Sequence, residues 1–197
     1  FNPKSKNLDL NKIPSPFSSE IIDVIKYRSW LIIETMRGCS YRCAFCEEPG
    51  RFKGLRYFSL GRIKNEFKYI LDRSDYLEIL DNNFNLNKRR TKEICLYLSE
   101  LQKNYREKKK IAATLNYRFI DKKQINLFKR AGIVKVEIGL QTINPRAYRN
   151  LNRFPLNLEK FKKIMKLFDE DFEIIIDIIL GLPGDNIRGF LKTLYFI

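Results

Sequence analysis

The sequence predicts an α/β fold in which strand–helix units line up on a parallel sheet. Three observations carry this. Short apolar runs alternate with longer amphipathic segments from residue 30 onward. Residues that start and stop helices fall at the joins between them. Each apolar run ends on a polar residue or a glycine, where an α/β sheet presents its functional groups.

Taken in order, residues 1 to about 28 are polar and proline-punctuated, with Asn2-Pro3, Ile13-Pro14 and Ser15-Pro16. They read as a linker or arm leading into a core domain at 29–197. Strands are expected at 31–35, 76–80, 111–115, 134–140 and 172–180, each a short β-branched or apolar run. Helices are expected at about 60–73, 87–106, 121–131 and 157–169, with one more opening near Asp185. In the second, Ile94, Leu98 and Leu101 recur at helical spacing. Ser59, Asn87 and Asp121 are suited to N-caps, and Gly132 to a helix stop. Five such units fit either an open doubly wound sheet or an incomplete barrel. Either way, Cys39, Asp81, Asn116, Gln141 and Gly181 fall at strand carboxyl ends.

The chain has 197 residues, enough for one domain with a sizeable core. It starts at Phe1 and stops at Ile197 inside an apolar, helix-like run, and is read as part of a longer protein. No run of eighteen apolar residues occurs, since Glu173 and Asp177 interrupt the longest, and a membrane span is not expected. The four cysteines stand without secretory features, which favours a reducing, cytoplasmic setting in which clustered thiols are metal ligands. A net charge of +15 invites a nucleic-acid reading. Lys is spread along solvated faces, however, with Lys108-Lys109-Lys110 the only tight cluster, so nucleic acid is not favoured as a partner. Without a single His, histidine bases and histidine metal ligands drop out.

The chemistry concentrates in Cys39-Ser40-Tyr41-Arg42-Cys43-Ala44-Phe45-Cys46. Three thiolates within eight residues can hold three irons of a cubane cluster and leave the fourth iron open. The alternatives are three of four zinc ligands, or unrelated thiols; zinc would need a fourth Cys or His close by. Cys95 sits among Ile94, Leu96, Leu98 and Leu101 and reads as a small buried apolar residue.

Three further stretches stand out. In 136–145, Gly139 permits close backbone approach, the polar pair Gln141 and Thr142 follows, and Asn144-Pro145 opens a helix. In 176–184, Asp177 interrupts an apolar strand and needs a hydrogen-bonding partner, for which ribose hydroxyls or an arginine would serve. The turn Gly181-Leu182-Pro183-Gly184 then leads to Asp185, a candidate N-cap. Leu80-Asp81-Asn82-Asn83-Phe84 offers a carboxylate and two amides that either orient a ligand or simply form a turn.

Together these motifs resemble the radical S-adenosylmethionine (radical SAM) superfamily from about residue 30 to 197. The stretch 34–46 resembles the cobalamin-associated branch, and residues 8–17 resemble the connector from a preceding cobalamin-binding domain. The resemblance implies a partial (βα)6 barrel, a four-iron four-sulfur cluster and SAM as cofactors, and cobalamin through an upstream domain. It implies that SAM is reductively cleaved to a 5′-deoxyadenosyl radical that abstracts hydrogen from a small-molecule or macromolecular substrate. Reduced flavodoxin or ferredoxin would supply the electron. By resemblance, Cys39, Cys43 and Cys46 match the cluster ligands, Phe45 the residue beside the adenine, and Gln141 a polar SAM contact. Arg153 matches the partner of the SAM carboxylate, Asp177 a ribose contact, and Gly181, Leu182 and Pro183 the turn near the adenine. The sequence departs from the family where Leu80-Asp81-Asn82-Asn83-Phe84 replaces a Gly-Gly-Glu type motif and Thr114 a frequent Glu. The sixth strand is not in the chain. Rival readings are a tRNA-modifying methylthiotransferase and a basic nucleic-acid-binding module with a structural metal.

Overall fold

The computed structural model describes residues 9–19, 21, 23, 26, 31–47, 54–153 and 156–197. Its centre is a five-stranded sheet of β1 (Leu31–Ile33), β4 (Tyr76–Ile79), β5 (Lys110–Thr114), β6 (Ile133–Gln141) and β7 (Glu173–Ile178). Every neighbouring pair is parallel, and spatial order follows chain order. A doubly wound sheet would reverse its order at a switch point. The uninterrupted order therefore selects the barrel-type alternative, here as five strands of a parallel, unclosed wall.

Helices follow the strands as the sequence predicts: α1 (Leu60–Leu71), α2 (Lys88–Gln102), α3 (Lys122–Ala131), α4 (Pro145–Asn150), α5 (Leu158–Met165) and α6 (Ile187–Phe196). Ser59, Asn87 and Asp121 each cap a helix by accepting a hydrogen bond from a first-turn amide. Gly132 ends α3 at φ 85°, and a Cβ there would lie 2.0 Å from Gln102 Nε2 and 2.5 Å from Lys109 O. That close approach lets Gln102 donate to the carbonyls of Lys109 and Ala131 and accept from Lys109 N, tying α2 to the start of β5. One cap differs from expectation. Asn186, not Asp185, caps α6, because Asp185 is already engaged by Thr142 and Asn144 across the turn.

The two faces of the sheet carry opposite chemistry. Ile33, Ile79, Ala113, Val136 and Ile174 form one row across paired strands, and the first four are fully buried under the helices. Ile63, Phe67, Ile70 and Leu71 of α1 and Phe128 of α3 pack into the same core. Fully burying a side chain of this size contributes roughly 1.5–3 kcal/mol. The alternate residues, including Glu78, Thr114, Glu137, Gly139 and Asp177, face the other way along the same registers.

A two-stranded antiparallel ribbon has no counterpart in the sequence reading: β2 (Met36–Arg37) pairs with β3 (Arg56–Tyr57). Of the arm expected at 1–28, residues 1–8 and several after 19 lie outside the described residues. Its described part is packed. Leu10 and Phe17 join the core, and Arg62 of α1 donates to the carbonyls of Leu10 and Ile13. Cys95 is fully buried, as expected, and burial pushes its thiol well up. No helix among the described residues is long and apolar enough to cross a membrane.

Candidate active site

Where the strands end, a cavity of about 420 Å³ opens, lined by residues at the carboxyl ends of all five strands and by the cysteine loop. Building the loop begins with Asp81, 1 % exposed. Its carboxylate accepts hydrogen bonds from Thr35 N (2.7 Å), Met36 N (3.1 Å) and Thr35 Oγ1, fixing the chain between β1 and the loop. Burial pushes this carboxyl up to about 6, against the pull of those donors and of Arg90. Asp81 is thus committed to structure, which decides one part of the stretch left open above. Arg90 completes the anchor by donating to the carbonyls of Thr35 (3.0 Å) and Phe58 (2.8 Å).

The loop is then held from two sides. Tyr41 Oη accepts from Asn116 Nδ2 (2.7 Å) at the end of β5. Asn116 is in turn bracketed by Asn85, whose side chain donates to its carbonyl and accepts from its amide. On the other side, Ala44 N donates to Leu151 O (2.9 Å) and Asn152 Nδ2 to Arg42 O (3.0 Å). The buried ties, from Asn116 to Tyr41 and between Asn85 and Asn116, contribute about 1 kcal/mol net each and cost more if one partner is left unpaired. The result is a loop that presents Cys39, Cys43 and Cys46 to one cavity. Cys39 and Cys43 are partly buried and Cys46 is exposed. Tyr41 N (3.4 Å) and Asn83 Nδ2 (3.6 Å) donate to Cys39 Sγ. Burial pushes the Cys43 thiol up, with the Arg153 guanidinium pulling the other way. Arg37 lines the same cavity and pairs with Glu34 at 2.6 Å.

The other predicted residues divide. Phe45, 41 % exposed, stands at the cavity rim. Gln141, Arg153 and Asp177 line the cavity. Gln141 holds φ 65°, unusual for a non-glycine residue, and a Cβ on Gly139 would meet its amide at 2.7–2.9 Å. The Gln141 side chain therefore folds back over Gly139, where Arg153 Nη1 donates to its Oε1. Asp177 lies beside Glu137, and Glu137 was missed by the sequence reading. Burial first, then the Asp177 carboxyl next to it, push Glu137 up to about 7. The polar alternation Lys135, Glu137, Gly139, Gln141 is the signal that would have found it. Gly181 and Leu182 do not line the cavity. Gly181 turns the chain at φ 85°, and Leu182 is buried with Ala147, Tyr148 and Leu151.

The sequence profile of the Radical SAM superfamily matches residues 33–197, most of the chain. The chain belongs to the radical SAM superfamily.

This radical SAM chain is 28 % identical over 205 residues to an uncharacterized methyltransferase of Pyrococcus horikoshii, covering 98 % of itself and 42 % of that protein. It is 25 % identical over 203 residues to the cobalamin-dependent radical SAM methyltransferase TokK of Streptomyces tokunonensis, covering 95 % of itself and 30 % of TokK. Among solved structures it resembles the radical SAM methyltransferase TsrM from Kitasatospora setae, at TM-score 0.79 and 17 % identity over 88 % of this chain and 33 % of TsrM. That structure carries cobalamin and a [4Fe-4S] cluster. The chain thus spans less than half the length of these relatives. Membership of the superfamily entails a four-iron four-sulfur cluster and SAM as cofactors. The residues present fit both. Three thiols on one tied loop suit the cluster, and an arginine fork with a nearby amide and carboxylate suits an amino acid joined to a nucleoside. Among the described residues no set of His, Cys, Asp or Glu side chains converges on a single metal ion. Thiolates that each take a separate iron of a cubane need no such convergence.

Proposed function

We propose that this chain is the radical-generating core of a cobalamin-dependent methyltransferase, with Cys39, Cys43 and Cys46 as cluster ligands. The single observation carrying the reading is that three thiols, Arg153, Gln141 and Asp177 share one cavity. A cluster held by Cys39, Cys43 and Cys46 would supply the one electron that breaks the sulfur–C5′ bond of SAM, giving methionine and a 5′-deoxyadenosyl radical to take hydrogen from a substrate. The chain's own residues do the gripping. Arg153 offers a planar fork to the SAM carboxylate, held in place by Gln141. Asp177 accepts from the ribose hydroxyls, Phe45 covers the adenine at the rim, and the turn at Gly181 and Leu182 backs α4 against the site. Methyl transfer and cobalamin, held by a domain outside this chain, are supported by the methyltransferase relatives. A reduced flavodoxin or ferredoxin is the proposed donor, in a cytoplasmic setting.

The test is anaerobic reconstitution with iron and sulfide. A brown protein is expected that binds SAM and yields 5′-deoxyadenosine on reduction. Any one Cys→Ala change at 39, 43 or 46 abolishes the cluster, and Cys95→Ala leaves it intact. A triple mutant retaining full iron, or a colourless zinc-loaded wild type, overturns the reading.

A further inference from the structure

Asn83 stands just past β4, in a segment where Asp81, Phe84 and Asn85 are already committed. Asp81 anchors Thr35 and Met36, Phe84 N donates to Thr114 O (2.9 Å), and Asn85 brackets Asn116. The backbone carbonyl of Asn83 closes the local turn by accepting from Leu86 N (3.1 Å). Turn formation therefore makes no use of its side chain. That side chain points to sulfur, with Nδ2 3.6 Å from Cys39 Sγ. Tyr41 N reaches the same atom at 3.4 Å. Two N–H groups on one sulfur, both from tied segments, form a built environment for Cys39 Sγ.

An N–H group bonded to a cluster thiolate withdraws charge from the sulfur. The bond strengthens when the cluster gains an electron, so it favours the reduced state and raises the reduction potential. We propose that Asn83 is a positioning residue that sets the potential of the cluster through its hydrogen bond to Cys39. This rests on Cys39 being a cluster ligand, as argued under the proposed function. The Asn83 amide is turned toward the cluster loop.

The experiment is a potentiometric titration followed by electron paramagnetic resonance, on anaerobically reconstituted wild type, Asn83→Leu, Asn83→Asp and Asn83→Gln. Iron content is measured in parallel. The midpoint potential is expected to fall in Asn83→Leu, which lacks the donor. It should fall further in Asn83→Asp, which places an anion there, and return toward wild type in Asn83→Gln. Unchanged potentials in the loaded Leu and Asp variants overturn the proposal. Loss of the cluster from all three variants also overturns it, because Asn83 would then be holding the loop's shape. A wild type that takes up no iron strikes at the proposed function itself and removes both.

Discussion

The two faces of β6 make an instructive pair. Val136, Ile138 and Leu140 are fully buried on one face, while Lys135, Glu137, Gly139 and Gln141 alternate with them on the other. One strand, with one backbone, thus serves packing and chemistry at a spacing of a single residue. The apolar face tolerates little change in volume because core side chains interdigitate at crystal-like density. The cavity face tolerates changes in volume but not in polarity or direction. Gln141 shows this: it is held in a left-handed conformation and folded over Gly139 to meet Arg153.

The contrast breaks most plainly on the apolar side. Phe128→Ala in α3, fully buried against the sheet, should cost about 3–5 kcal/mol in urea unfolding. In reconstituted protein that remains folded, SAM affinity should be close to wild type. On the cavity side, Arg153→Lys should leave stability within about 0.5 kcal/mol and weaken SAM binding by roughly ten- to a hundredfold, because Lys cannot reproduce the planar fork. Anaerobic titration calorimetry reads this, and an unchanged affinity would remove Arg153 from the site. Gly139→Ala sharpens the comparison further. Its new methyl meets only the movable end of the Gln141 side chain, so unfolding should shift by less than about 1 kcal/mol. SAM affinity should nevertheless fall several-fold as the amide is displaced.

The smallest effect concerns protons. Glu137 titrates at about 7 in the folded chain, above its ordinary value of 4.5. A carboxyl raised in this way stabilises the fold below its unfolded value and loses that contribution as pH rises through about 7. The group is part-exposed, so solvent screening reduces the effect to about 1 kcal/mol. Stability should therefore decline between pH 5 and 8 in wild type, and Glu137→Gln should flatten the decline. A parallel slope in the variant would mean that Glu137 is not the cause.

What could be read in advance divides by distance along the chain. Ser59, Asn87, Asp121 and Gly132 act within a few residues of themselves, and each stands where the sequence puts it. The alternation along β6 is just as local, yet it went unread because the strands were taken as plain apolar runs, and Glu137 was missed with it. The ribbon of β2 and β3 was not legible, because two residues carry no periodicity. Nor were the ties on the cysteine loop, which join Tyr41 to Asn116, 75 residues on, and Thr35 to Asp81, 46 residues on. Asp81 read equally well as a ligand-orienting group or a turn former, and only the fold shows its carboxylate closed on Thr35 and Met36. The turn at Leu182 was expected beside a ligand. Its Leu182 side chain packs against Tyr148 and Leu151, a contact set by the placement of α4.

The bond from Asn152 to the Arg42 carbonyl spans 110 residues, and its neighbour from Ala44 N ends on Leu151. A ribosome adding roughly 5–20 residues per second emits the cysteines on the order of 5–20 s before the groups that fasten them. During that interval the thiols emerge on an unfinished strap, exposed to oxidants and to any stray metal ion. A cluster delivered then would meet a loop without its final shape. The loop therefore reaches its final shape only after α4 and the two residues beyond it have been made.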